Sequence, residues 1–153
     1  MKYSDSSSEY QMVLESTLFD QTKHYLGTDD LQKNPKLLLS SDASIHIVPD
    51  FYSNKNLIIG EIHAHAGKLK GSQPDKIAFD VLKMLLYDKS SARTHKKFIV
   101  VCDHDEYVQL TGKSALAEAI RQFDVKVLYF DIGPERHNAL VTAMRKQNLL
   151  PEE

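Results

Sequence analysis

Ile45-His46-Ile47-Val48-Pro49-Asp50, followed by Leu57-Ile58-Ile59-Gly60-Glu61-Ile62-His63-Ala64-His65, is the stretch whose reading decides the fold. Two apolar, β-branched runs flank the polar turn Tyr52-Ser53-Asn54-Lys55-Asn56, which is the pattern of a β-hairpin. Side chains alternate along a strand, so Glu61, His63 and His65 share one face. Asp50 ends the preceding strand. The hairpin therefore brings two carboxylates together, with two imidazoles beside them. Paired carboxylates suit a hard divalent cation.

Outward from the hairpin, apolar periodicity supplies the rest. Toward the N-terminus, Tyr10, Val13, Leu14, Thr17, Leu18, Gln21 and Tyr25 fall on one face of a helix that starts at Glu9 and stops at Gly27. Glu9 and Glu15 lie off that stripe. Residues 36–39 read as a short strand. Beyond the hairpin, residues 66–71 hold two glycines with Lys68 and Lys70, a loop between strand and helix. Ser72 is placed as the N-cap of a helix, with Pro74 in its first turn and Asp75 at the capping-box position. Its apolar stripe is Ile77, Ala78, Val81, Leu82, Leu85 and Leu86, which puts Lys76, Asp80 and Lys83 on the other side.

The run Phe98-Ile99-Val100-Val101-Cys102 has the composition of a strand covered on both faces. One helix follows, burying Leu116, Ala119, Ile120 and Phe123, then a strand over residues 125–132 and a last helix with Leu140, Val141 and Met144. Strand, helix, strand implies a parallel pair joined by a right-handed crossover. The class is α/β, a central mixed sheet flanked by helices.

The chain has 153 residues, enough for one sizeable core. The division expected is a flexible N-terminus over residues 1–8 and a single domain over residues 9–150. A net charge of −2 excludes wholesale attraction to a polyanion, so any nucleic-acid contact has to be local. Cys102 is the sole cysteine, which leaves no internal disulfide. No signal segment or membrane-length apolar run is seen. A soluble, cytoplasmic protein without a membrane partner is the expectation.

Pro49-Asp50 with Glu61 eleven positions on resembles the signature of the PD-(D/E)XK nuclease superfamily. The order of helix, three strands, helix and strand is similar to its restriction-endonuclease-like three-layer fold. The stretch from Gly60 to Gly71 also resembles uncharacterised bacterial members. The resemblance covers most of the chain, from the first helix to the strand at Val125. It implies Asp50 and Glu61 as ligands of Mg²⁺ or Mn²⁺, with Glu15 or Glu9 joining from the first helix. It implies phosphodiester hydrolysis of nucleic acid, with DNA as the expected substrate, and a homodimer is compatible with it. The position of the motif lysine falls on His63, a departure from the pattern. Lys76 or Lys70 is then the substitute lysine, or His63 itself is the general base, since its reference pKa lies near neutrality.

Lys68, Lys70, Lys76, Arg93, Lys96 and Lys97 form the phosphate-contacting set expected on this reading. A degenerate member that binds nucleic acid or protein without cleaving is the alternative, and the His63 departure feeds it. Zinc offers a rival chemistry: His63-x-His65 with Asp103-His104 at the end of another strand is a set of imidazole and carboxylate ligands for a zinc hydrolase. Asp103-His104-Asp105 otherwise reads as structural turn chemistry, and Cys102 as a small buried hydrophobe.

Overall fold

The structure, a computed structural model, describes residues 2–146, with side chains from residue 9 onward. The expected domain end at residue 150 lies outside the described residues, as does residue 1. The elements run α1 (Lys2–Leu26), β1 (Gln32–Lys33), β2 (Leu37–Leu38), β3 (His46–Ile47), β4 (Phe51–Ser53), β5 (Ile58–His63) and α2 (Gln73–Ser91). They continue as β6 (Lys96–Val101), α3 (His104–Leu110), α4 (Ala115–Gln122), β7 (Val125–Tyr129) and α5 (Gly133–Lys146). The main sheet has five strands in the order β1-β4-β5-β6-β7. β1, β4 and β5 pair antiparallel, while β5, β6 and β7 pair parallel. The sheet is mixed, as expected.

Strand alternation divides the core in two. Ile58, Ile62, Phe98, Val100 and Leu128 face α1 and α5, meeting Leu14, Leu18, Phe19, Leu140 and Met144. Ile59, Ile99 and Val101 face the other way, meeting Ile77, Val81 and Met84 of α2, Leu110 of α3 and Ile120 of α4. Helices thus cover both faces of the sheet. The first and last helices share one face, and the Tyr10 hydroxyl donates to the Arg136 carbonyl at 2.8 Å. No helix among the described residues is long and apolar enough to cross a membrane.

Phe51 and Gly60 face each other across β4 and β5. The Phe51 ring lies over the glycine, so that a Cβ built there would sit 2.1 Å from Phe51 Cζ. Only a residue without a side chain lets the ring close the core at this point.

Four expectations need correction. The hairpin is narrower than the apolar runs suggest: β4 and β5 form it, while β3 leaves to pair with β2 in a separate two-stranded sheet. Asp50 accordingly stands just before β4 and does not end a longer strand. Second, α2 is rotated. Its buried positions are Ile77, Val81 and Met84, whereas Leu82 and Leu86 are exposed together with Phe79. Apolar residues surround most of this helix, so periodicity alone does not fix which side docks. Third, the single helix after β6 is two, because Ser114 accepts a hydrogen bond from the Ala117 N–H at 3.0 Å and caps a new start; Phe123 is exposed. Fourth, α1 begins at Lys2, well ahead of Glu9, so residues 2–8 continue the helix. Val13 and Tyr25 of its expected stripe are exposed.

Candidate active site

Glu61 and His63 are in phase with Ile59, so both point at α2. The rotation of α2 turns Asp80 and Lys83 toward them, against the sequence expectation that these two face away. Asp50 enters from just ahead of β4. Its Oδ2 accepts the Ile62 N–H at 2.6 Å, and its carboxylate lies near enough to that of Glu61 for each to act on the other's ionisation. Neighbouring carboxylates oppose each other's ionisation. Burial raises Asp50, while the Ile62 N–H and Glu61 draw it back. Burial, then the Asp50 and Asp80 charges, push Glu61 up to about 9 against the pull of Lys83. Glu61 is 5 % exposed and its Oε2 completes no hydrogen bond.

Lys83 Nζ lies 3.5 Å from Glu61 Oε2 and 3.3 Å from Asp80 Oδ1. Its stem crosses the rim of the helix while the ammonium reaches the acids. Burial disfavours this charge, but Glu61 and Asp80 outweigh it and hold the pKa above its ordinary value.

His63 stands between two acids, with Nδ1 3.3 Å from Glu106 Oε2 and Nε2 3.7 Å from Asp80 Oδ2. Burial pulls the imidazole down, yet the hydrogen bonds and charges of Asp80 and Glu106 override it and raise it to about 9. Glu106 has no solvent exposure. Burial raises its pKa and His63 opposes the rise. The same carboxylate stands 3.7 Å from His65 Nδ1.

Asp80, Lys83 and Glu106 are absent from the candidates drawn from the sequence. The signal for Glu106 is ambiguous by nature. Asp103 caps α3 by accepting the Glu106 N–H at 3.1 Å, and Asp-x-x-Glu reads as a capping box. The Glu106 side chain turns instead to the imidazoles.

The remaining candidates separate into two groups. Glu15, Lys70 and Lys76 line a cleft of about 550 Å³ with Gln11, His63, His65 and Ser72. Partial desolvation and the Asp50 charge raise Glu15, with Lys33 and His63 opposing. Lys68 is exposed on the same loop. Among the described residues, Lys83 is the lysine that reaches the acid pair, and Lys70 and Lys76 make no such contact. Arg93, Lys96 and Lys97 belong to the opposite end of the sheet, since Lys96 pairs with Ile58 and Val101 with His63. That is five strand steps, roughly 16 Å away.

Arg93 donates to the Tyr52 hydroxyl and Asn54 Oδ1 at 3.3 and 2.9 Å. Lys97 is buried, paired with Asp88, and donates to the His95 carbonyl at 3.1 Å. This corrects its reading as a phosphate contact. A charge inside the core needs a fixed partner, and Asp88 is that partner.

The zinc set does not assemble. His63 and His65 meet Glu106, whereas Asp103 Oδ2 bonds His137 Nε2 at 2.6 Å and the Gly67 N–H at 2.7 Å. His104 packs edge-on against Tyr129. Among the described residues no group of three or more His, Cys, Asp or Glu side chains could hold a metal ion. Two carboxylates remain, and the buried Glu61 Oε2 completes no hydrogen bond. That is too few ligands for structural or catalytic zinc. It fits Mg²⁺, which binds through one or two carboxylates and keeps most of its water. Cys102 is buried just beyond β6, and burial pushes its thiol up to about 12, which disfavours the thiolate a nucleophile needs.

Compared with protein-family models, curated proteins and solved structures, the chain matches none.

Proposed function

We propose that this chain is a metal-dependent nuclease of PD-(D/E)XK type, hydrolysing phosphodiester bonds of nucleic acid, DNA first, on a restriction-endonuclease-like fold. The observation that carries the reading is Lys83. The motif wants an ammonium beside the acid on β5, the sequence has His63 there, and α2 brings Lys83 Nζ to 3.5 Å from Glu61. The acid pair and a lysine therefore meet although no local motif contains all three.

Asp50 and Glu61 would hold Mg²⁺ or Mn²⁺, which when bound would supply Lewis-acid charge at a phosphoryl oxygen. The chain's own residues do the rest. The Ile62 N–H fixes the orientation of Asp50. Lys83 and His63, both cationic at neutral pH, set positive charge where the phosphoryl oxygens gain negative charge. His63 is not the base on this account, because its two acidic neighbours keep it protonated. Glu15, raised above an ordinary carboxylate and facing the cleft beside His63, is suited to accept the proton of an attacking water.

The test is cleavage of single-stranded, duplex and branched DNA with Mn²⁺. Activity lost in Asp50→Asn, Glu61→Gln and Lys83→Ala is expected. Cleavage undiminished in Lys83→Ala would remove the lysine assignment, and the absence of cleavage by the wild type would remove the enzyme. A second reading, a module that binds without cleaving, draws on one observation: Glu61 is nearly inaccessible and its charge is neutralised internally. Calorimetry separates the two, since Mn²⁺ binding abolished by Asp50→Asn belongs to the enzyme and no binding at all to the module.

A further inference from the structure

Four residues of the cleft, His65, Lys70, Ser72 and Lys76, have no part in the chemistry above. His65 is 8 % exposed, lines the cleft, and completes no hydrogen bond at either ring nitrogen. Its polar neighbours are Glu106, 3.7 Å away, the Gln73 side chain and the Gly67 backbone. A buried donor and acceptor left without hydrogen bonds are costly, and a ligand entering the cleft can supply the missing partner.

The same cleft receives the N-terminus of α2, a helix of 19 residues whose cap Ser72 makes no side-chain capping bond. The hydroxyl is uncommitted and the positive end of the helix dipole is open to an anion. Lys70 and Lys76 are exposed at the rim, and among the described residues no acidic side chain pairs with either. Opposing charges are Glu15 across the cleft and Asp75 in the first turn of α2.

Two ammonium groups, a hydroxyl and an imidazole converging on one space suit an anion with several acceptor oxygens. A cleft of about 550 Å³ is the size of a small-molecule site, not of a duplex groove. We infer that the cleft is a phosphate pocket, holding one phosphate of the strand whose neighbouring linkage lies at Asp50 and Glu61. This rests on the nuclease reading for its substrate, though not for the existence of the pocket. The phosphate is either the monoester at a strand end or a diester within the strand.

The experiment is run on the full chain in EDTA, so that cleavage plays no part. Imidazole and backbone N–H resonances are followed while inorganic phosphate is added, and anisotropy measures binding of single strands with a 5′-phosphate, a 3′-phosphate or hydroxyl ends. Expected are saturable shifts at His65 and Ser72, and roughly tenfold weaker strand binding in the exposed Lys70→Ala/Lys76→Ala double variant, which keeps the fold if His65→Ala does not. Preference for one phosphorylated end identifies a terminal pocket. Equal binding of all three strands, still weakened in the double variant, identifies a backbone phosphate. No shift at His65 with phosphate, or undiminished binding in the double variant, overturns the proposal even if the protein cleaves DNA. Phosphate binding by a protein that never cleaves would sink the nuclease reading and leave the pocket.

Discussion

On the proposed nuclease reading His63 stands where the motif has its lysine, and Asp80 and Glu106 beside it favour a positive charge there too. Single-turnover cleavage should therefore show no rise through pH 6.5, the range of an ordinary imidazole. It should fall instead as pH passes about 9, where His63 loses its proton. His63→Gln, neutral at every pH, should lower the chemical step by roughly 10²-fold and abolish that fall. A rate that climbs between pH 6 and 7 in wild type and not in the variant would restore His63 as the base. The common face of Glu61 and His63 was legible in the sequence because strand alternation is a strict rule. Asp80 and Lys83 were not. Phe79, Leu82, Leu85 and Leu86 give α2 apolar residues on several sides, and only docking on the sheet decides which turn inward.

At the scale of elements, the β4–β5 hairpin carries the acids and the Phe51–Gly60 contact sets how closely its strands pack. Gly60→Ala should cost roughly 1–3 kcal/mol by overpacking, measured by urea denaturation. The variant should also bind Mn²⁺ more weakly, since Asp50 and Glu61 adjoin the displaced pair. Unchanged stability would mean that Phe51 swings away freely. The opposite end of the sheet makes a separate prediction. Lys97→Ala leaves Asp88 and a buried cavity without their cation and should destabilise by roughly 3–5 kcal/mol, while the salt dependence of DNA binding in the folded protein stays as in wild type. A flattened salt slope would return Lys97 to the phosphate-contacting set. Here the sequence misleads for a physical reason: a lysine in a basic loop and a lysine in a core ion pair look alike until the strand register assigns each to a side.

For the whole molecule, the raised groups act in one direction. Folded Glu61 titrates near 9, far above an unfolded carboxylate near 4.5, and folded His63 near 9, above 6.5. Between these limits the native state binds more protons than the unfolded chain, so stability falls as pH rises. The metal-free protein should show its highest Tm near pH 5 and a steady decline toward pH 9 in calorimetry. Mn²⁺ should flatten the alkaline part, because a cation can take the place of the proton on the acid pair, and Glu61→Gln should flatten it without metal. A Tm that rises from pH 5 to 8 would contradict this arrangement of charges. The overall α/β class was legible because buried runs and helical stripes alternate plainly. The departure of β3 to its own sheet was not, since His46 and Ile47 are as strand-prone as the residues that stay.

The packing of α1 on α5 ties two elements far apart in sequence together over one face of the sheet. During synthesis α1 leaves the ribosome before α5, so Leu14, Leu18, Ile62 and Val100 wait for Leu140 and Met144 to cover them. Nascent chains ending before Gly133 should stay protease-sensitive in α1, and chains that include α5 should not; protection of the shorter chains would show that α1 docks alone. The order of translation thus makes the last helix the one that closes the hydrophobic face begun by the first.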